Sequence, residues 1–104
     1  MTSGRVVPAD ASPETVTRFD DLVRAFTQLE DAATVRAFLR DLCTGAELDA
    51  MGQRLQVARL VDEGRPYQEI SRRTGASTAT VTRVAQWLHH GEGGYRTVLH
   101  SERS

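Results

Sequence analysis

The chain has no lysine, a single cysteine, few aromatic residues and no long hydrophobic run. Its thirteen basic residues are all arginine, and Cys43 alone can form neither an intramolecular disulfide nor a cysteine-rich metal site. No apolar segment approaches the roughly 18 residues that are needed to cross a bilayer. The N-terminal segment lacks the hydrophobic core of a secretion signal. We therefore expect a cytoplasmic protein with no membrane partner.

The shortage of aromatic side chains limits the core that 104 residues can build, because only three Phe, two Tyr and one Trp are present. The hydrophobic content of 39% and the charged content of 26% are typical of a soluble globular domain. A single domain of this length that is built from short helices has marginal stability. Association into a dimer would relieve that limit.

The net charge of −1 conceals an uneven distribution of charge. Residues 1–64 carry seven arginines against eleven acids, whereas residues 65–96 carry five arginines against only Glu69 and Glu92. The C-terminal third is therefore the basic part of an acidic protein. A local excess of arginine is the electrostatic pattern that nucleic-acid binding requires.

Residues Tyr67 to Gln86 fit a helix-turn-helix position by position. Ser71 takes the position where the two helices touch, and Gly75 takes the left-handed turn. The positions predicted to be buried are Ile70, Thr74, Ala76, Val81 and Val84. The positions predicted to point outward on the second helix are Ser77, Thr78, Ala79, Thr82, Arg83 and Gln86. This short, polar face with an arginine suits a helix in the major groove of DNA.

Capping residues predict further helices on the N-terminal side of the helix-turn-helix. Ser12 precedes a proline and an acid, which is a helix start, and Asp31 can cap a second helix. Thr44 and Glu47 form a capping box for a third helix. No strand pattern is present, so we predict an all-α fold.

The predicted organisation is a single helical domain over residues 12–100, with the helix-turn-helix at 66–90 and loose tails at 1–11 and 101–104. The first helices carry more apolar side chains than a helix-turn-helix needs to cover. They predict either a five- or six-helix core or a dimer in which two chains interlock. Apolar stripes are also predicted on the third and the last helix, formed by Leu48, Met51, Leu55, Ala58 and Val61, and by Tyr95, Val98 and Leu99.

From Asp41 to Leu99 the chain resembles the Trp repressor superfamily, and most closely its YerC/YecD branch. The segments that carry the resemblance are DLCT at 41–44, QRLQVARL at 53–60, Gly64, TGASTATVTRV at 74–84 and GGYRTVL at 93–99. The resemblance implies an all-helical, intertwined homodimer that acts as a transcriptional regulator, here expected to be a repressor. Its partner would be double-stranded DNA with a palindromic operator, whose half-sites are about 34 Å apart.

The resemblance also implies which residues contact DNA. The family's contacting positions match Gln68 and Ser71 on the first motif helix, and Thr78, Ala79 and Thr82 on the second. Backbone N–H groups at the start of the second helix would bind a phosphate. The candidate DNA-binding residues are Gln68, Ser71, Arg72, Ser77, Thr78, Ala79, Thr82 and Arg83.

In the tryptophan-sensing member of the superfamily, the indole lies between two arginines, with a threonine on each side. The resemblance matches the arginines to Arg54 and Arg83 and the threonines to Thr44 and Thr80. Two further pocket positions are small in that repressor, and they match Val84 and Trp87 here. Because these larger side chains would fill the ligand's space, we expect that free tryptophan is not the effector. The candidate effector pocket consists of Thr44, Arg54, Thr80, Arg83, Val84 and Trp87.

Three alternatives to these roles stay open. Arg54 could instead form a salt bridge with Glu47 or Asp62 of its own or a partner chain. The whole chain could be a non-catalytic adaptor of the transcription machinery, or a repressor gated by a small aromatic or acidic ligand.

No enzyme signature accompanies these segments. The chain has no glycine-rich phosphate loop, no HExxH and no nucleophile elbow. The adjacent His89 and His90 point about 100° apart on a helix, so they do not share a metal ion. We therefore predict no catalytic residue, no metal site and no cofactor.

Overall fold

The computed structural model describes residues 11–103, which contain six α-helices and no strand. The helices are α1 (Pro13–Thr27), α2 (Ala32–Leu42), α3 (Gly45–Asp62), α4 (Tyr67–Thr74), α5 (Thr78–His90) and α6 (Gly94–Arg103). The predicted all-α fold is therefore confirmed. The predicted N-terminal tail lies outside the described residues, apart from its last position. Within the described range, no helix is both long enough and apolar enough to cross a membrane.

Side-chain caps begin the first two helices at the predicted residues. The Ser12 hydroxyl oxygen accepts a hydrogen bond from the backbone N–H of Thr15 at 3.2 Å. The Asp31 carboxylate accepts one from the backbone N–H of Thr34 at 2.8 Å. This bond from Thr34 lowers the pKa of Asp31, because it stabilises the ionised carboxylate. Both helix starts therefore follow from local hydrogen bonding.

The chain divides into two compact units, and the boundary follows Gly45. In the first unit, Phe26 of α1 and Phe38 of α2 meet edge to face, with ring centroids 5.2 Å apart. Neither α1 nor α2 contains a fully buried residue. The large apolar side chains that stay exposed on these two helices are Val16, Phe19, Leu22, Val23 and Leu42.

The second unit holds the hydrophobic core, to which four helices contribute. Leu55 and Tyr95 are partly buried against this core. The fully buried members are Val57, Ala58, Leu60, Val61, Ile70, Ala76, Val81, Val84, Ala85, Leu88 and Leu99. The helix-turn-helix is therefore part of the best-packed region of the chain.

Two burial predictions need correction. On α3, Val57 and Leu60 are buried although they lie off the predicted stripe, and Met51 on the stripe is 38% exposed. The C-terminal half of α3 shares its core with three other helices, so more than one face of it is covered. On α6, Val98 is 45% exposed whereas Leu99 is buried, because adjacent helical residues point about 100° apart.

Helix α6 continues to Arg103, three residues past the predicted end of the domain at residue 100. Two ion pairs join its last turn to α3. Arg59 donates to both carboxylate oxygens of Glu102, at 2.9 and 2.6 Å, and Arg103 pairs with Asp62. The bonds from Arg59 lower the pKa of Glu102. Residues 101–103 are thus helical and attached rather than a loose tail.

Candidate nucleic-acid interface

The turn between α4 and α5 is closed by the two residues that the sequence singles out. Gly75 has a φ of 78°, in the left-handed region, and its N–H donates to the carbonyl oxygen of Ser71 at 2.9 Å. The Ser71 hydroxyl donates to the carbonyl oxygen of Ala76 at 2.6 Å. A small side chain at position 71 lets the two helices approach, and glycine at 75 adopts the turn without strain.

A contact from α3 also holds the turn, and sequence analysis did not identify it. Gln53 donates from Nε2 to the carbonyl oxygen of Thr74 at 3.1 Å. The Thr74 hydroxyl in turn donates to the carbonyl oxygen of Ile70 at 2.7 Å and accepts from the N–H of Ala76 at 3.1 Å. Gln53 lies 21 residues from Thr74, so no local pattern reveals their contact.

Helix α5 has one face in the core and the opposite face in solvent. Its core face consists of four residues that are at most 4% exposed, namely Val81, Val84, Ala85 and Leu88. Its exposed residues include all of those predicted to point outward, namely Thr78, Ala79, Thr82, Arg83 and Gln86, and its cap Ser77 is exposed as well. On α4, the candidates Gln68 and Arg72 are also exposed, and Ser71 is half-buried at the turn. The predicted division into buried and outward positions is therefore confirmed except at Thr74, which is half-buried.

The four arginines of residues 65–90 differ in their partners. Arg73 pairs with Glu69 at 3.2 Å, and Arg65 lies 3.8 Å from the same carboxylate oxygen. Arg72 and Arg83 are exposed and form no hydrogen bond or ion pair within the described part of the chain. These two guanidinium groups are therefore available to an external anion.

Arg96 fixes the C-terminal end of α5, a role that sequence analysis missed. Its Nε donates to the carbonyl oxygen of Leu88 at 3.1 Å, and its Nη2 donates to that of His89 at 2.9 Å. The last carbonyl groups of a helix have no partner within the helix, and a nearby cation satisfies them. The sequence contains a signal for this role, because an arginine follows shortly after Gly91, where α5 ends. Sequence analysis used Arg96 only as one of the positive charges of residues 65–96.

The predicted effector residues are distributed over both units of the chain. Thr44 belongs to the first unit, whereas Arg54 and Thr80 belong to the second. Val84 is 1% exposed and is a core residue, and Trp87 is half-buried. Val84 and Trp87, which we predict to fill the space of an indole ligand, are therefore buried and half-buried, respectively.

Arg54 does not form the intramolecular salt bridge that was one expected role for it. It is half-buried and pairs with no carboxylate among residues 11–103, while Asp62 pairs with Arg103. Thr80 is half-buried, and its hydroxyl oxygen lies 3.1 Å from that of Ser77. Arg54 therefore has an uncommitted charge in the described structure.

Comparison with known proteins places the chain in a family. The family model described as Trp repressor protein matches residues 17–103. This chain belongs to the Trp repressor family. Within the family it is 41% identical over 80 residues to the uncharacterized protein YerC of Bacillus subtilis, covering 77% of each chain. It is 47% identical over 52 residues to a Trp operon repressor homolog of Haemophilus influenzae. The matched segment covers about half of each protein, 52% of the relative and 49% of this chain.

Solved structures of Trp repressor-like proteins share the fold. A TrpR-like protein from Eubacterium eligens superposes with a TM-score of 0.77 at 36% identity, covering 84% of this chain and 90% of its own. A putative Trp repressor from Staphylococcus aureus gives a TM-score of 0.76 at 37% identity, covering 84% and 87%. The predicted membership of the Trp repressor superfamily and the predicted TrpR-like fold are thus confirmed.

Proposed function

We propose that this protein is a transcriptional repressor that binds double-stranded DNA as a homodimer and reads a palindromic operator through α4 and α5. Membership of the Trp repressor family supports a DNA-binding regulator. The observation that carries the proposal is the exposed face of α5, because it lies opposite a face that is fixed in the core.

The chemistry of that exposed face suits the major groove. Thr78, Ala79 and Thr82 have short side chains that permit close approach, and their methyl groups can contact thymine methyl groups. Arg83 can reach a guanine or a phosphate, and Arg72 on α4 can reach a phosphate. Sequence would be read by the short side chains, and register would be set by the arginines.

The start of α5 supplies a further contact to the DNA backbone. The first N–H groups of any helix lack acceptors within the helix and carry the positive end of its dipole. Near Ser77 and Thr78 these groups would bind a phosphate. Gln68 and Ser71 on α4 complete the proposed interface on the side of the first motif helix.

The exposed apolar residues of α1 and α2 support the homodimer. Val16, Phe19 and Val23 recur at helical spacing and are each 37–46% exposed in the single chain. A second copy related by two-fold symmetry would cover such a face on both chains at once. The same symmetry would set two recognition helices about one DNA turn apart, which matches a palindrome.

Binding would not require free tryptophan. The matching pocket positions are small in the tryptophan-sensing repressor, whereas here they carry the buried Val84 and the half-buried Trp87. Their bulk occupies the places that an indole ligand would need. The half-buried and unpaired Arg54 supports a second candidate, a repressor gated by a different small acidic or aromatic ligand.

The test is selection of fragmented genomic DNA by the purified protein, with and without millimolar tryptophan, at near-physiological salt. We expect the same few palindromic sites in both arms. Enrichment only with tryptophan would contradict the effector-independent proposal. No enrichment in either arm, together with no salt-dependent binding to any duplex, would favour an adaptor of the transcription machinery instead. Weak salt-dependent binding without enrichment would point to a missing ligand.

A further inference from the structure

Glu69 is the only carboxylate between Arg65 and His90, a segment that contains four arginines. Its side chain is 28% exposed, whereas those of Arg65 and Arg73 are 48% and 50% exposed. One carboxylate oxygen, Oε2, lies 3.2 Å from Nη1 of Arg73 and 3.8 Å from Nη1 of Arg65. Arg65 is also held from its other side, where its Nε lies 3.4 Å from the Glu63 carboxylate.

The position of Glu69 in the chain explains why its carboxylate lies near both Arg65 and Arg73. It lies four residues before Arg73 within α4, the spacing at which helical side chains are neighbours, and four residues after Arg65, which precedes the helix. It also lies in the first turn of α4, where the helix dipole favours an acid. One carboxylate can therefore engage an arginine near each end of α4.

We propose that Glu69 restrains sequence-independent DNA binding by holding Arg65 and Arg73 away from the phosphate backbone. The inference rests on the proposed DNA-binding function. It divides the four arginines of residues 65–90 into two classes. Arg72 and Arg83 are available to DNA, whereas Arg65 and Arg73 share the single negative charge of Glu69.

The physical reason is that non-specific binding consists of contacts between cations and phosphates. An arginine that moved from Glu69 to a phosphate would give up its attraction to that carboxylate, which itself repels the negatively charged DNA. Base contacts by α5 do not involve Glu69, and in an operator complex they fix which phosphates each arginine can reach. On other sequences the protein is free to shift toward more phosphate contacts. Glu69 therefore lowers non-specific affinity more than operator affinity.

The test compares the full-length wild type with Glu69→Gln on a labelled duplex of random sequence, between 50 and 300 mM NaCl. Glu14→Gln on α1 is the matched control, because it makes the same change in net charge at an exposed carboxylate outside the helix-turn-helix. Glu69→Gln should bind roughly threefold to tenfold more tightly, and its log–log salt slope should steepen by about one to two. Glu14→Gln should change affinity less than twofold.

A merely structural role for Glu69 gives the opposite sign. If the carboxylate only stabilises α4, its loss weakens the helix and lowers DNA affinity. Equal behaviour of Glu69→Gln and Glu14→Gln, or weaker binding by Glu69→Gln, would overturn the inference. Adding Arg73→Gln to Glu69→Gln should reverse much of the gain.

Two adjacent arginines supply a second measurement that leaves Glu69 intact. In the wild-type background, Arg72→Gln should weaken non-specific binding severalfold and reduce the salt slope by about one. Arg73→Gln should change affinity less than twofold, because its charge is already compensated. Equal losses from the two substitutions would overturn the inference even if Glu69→Gln did not fold. Absence of any salt-dependent DNA binding by the wild type would overturn the proposed function, and this inference with it.

Discussion

At the residue scale, two small residues determine the turn of the helix-turn-helix. Gly75 accepts a φ of 78°, and the Ser71 hydroxyl bonds to the backbone of the following turn at 2.6 Å. A larger residue at either position would meet strain or the neighbouring helix. The geometry of the proposed interface therefore depends on two residues that do not need to touch DNA bases.

Gly75→Ala tests the left-handed turn. A Cβ at this position meets no close contact, since the nearest atom is Gln53 Nε2 at 3.7 Å, so the cost is backbone strain. The substitution should lower the free energy of unfolding by about 1–2 kcal/mol. Gly52→Ala is the control, because it lies inside α3 with open space around its Cβ position. It should leave stability unchanged or raise it by up to about 1 kcal/mol. Urea unfolding of both variants decides, and equal destabilisation would contradict the explanation.

Thr82→Ala and Arg83→Ala test the outer face of α5. Each should weaken binding to the selected operator by about 1–3 kcal/mol if it contacts a base, and Arg83→Ala should also lower the salt dependence. Arg36→Ala on α2 is the control, because Arg36 is exposed and has no partner among the described residues. Fluorescence anisotropy with operator DNA measures all three. Wild-type affinity in Thr82→Ala and Arg83→Ala would argue against this face as the interface.

At the element scale, α5 is held at both ends. Its cap residue Ser77 accepts from the N–H of Thr80 at 3.1 Å, and Arg96 bonds to the carbonyl groups at its C-terminal end. Helix α6, which supplies Arg96, is itself joined to α3 by the pairs of Arg59 with Glu102 and of Arg103 with Asp62. The orientation of α5 therefore depends on the last helix of the chain.

The Arg59–Glu102 pair should make the attachment of α6 depend on pH. Glu102 has a folded-state pKa below its ordinary value of 4.5, because Arg59 bonds to the ionised form. Its contribution to stability is therefore present above pH 4.5 and is lost as the pH falls through the lower folded-state pKa. Glu102→Gln should be less stable than wild type at pH 7, and the difference should be smaller at a pH well below 4.5. Urea unfolding at both pH values measures it, and a difference independent of pH would contradict this role.

At the scale of the whole molecule, the exposed apolar residues of α1 and α2 bear on the assembly of the protein. The first unit has no fully buried residue in either helix, although Phe26 and Phe38 pack together. Two short helices with so little buried surface are not stable by themselves in water. A second copy of the chain would supply the missing cover, and it would also create the symmetry that a palindromic operator requires.

Val23→Glu tests the proposed homodimer. Val23 is 46% exposed on α1, and a buried glutamate there would leave an unpaired charge at the interface. Wild type should sediment as a dimer of the 11.5 kDa chain at micromolar concentration, and Val23→Glu should shift toward monomer. Gln28→Glu adds the same charge at an exposed position next to the same helix and should remain dimeric. A monomeric wild type would contradict the proposal.

Short-range physics explains what the sequence by itself determined about this protein. The caps Ser12 and Asp31, the turn at Gly75 and the two faces of α5 all arise from residues within about four positions of one another. Hydrogen bonds and side-chain periodicity over that range are readable from spacing alone. The exposed face of α5 is therefore foreseeable as a set of positions.

Only the tertiary structure decided the contacts between residues that are far apart in the chain. The Gln53 bond to the turn, the two-sided burial of α3 and the attachment of α6 through Glu102 depend on how helices pack. The exposure of Val98 has the same origin, because its neighbour Leu99 takes the place in the core. Helical periodicity marks which residues are apolar, but the number of neighbouring helices decides how many faces of a helix are covered.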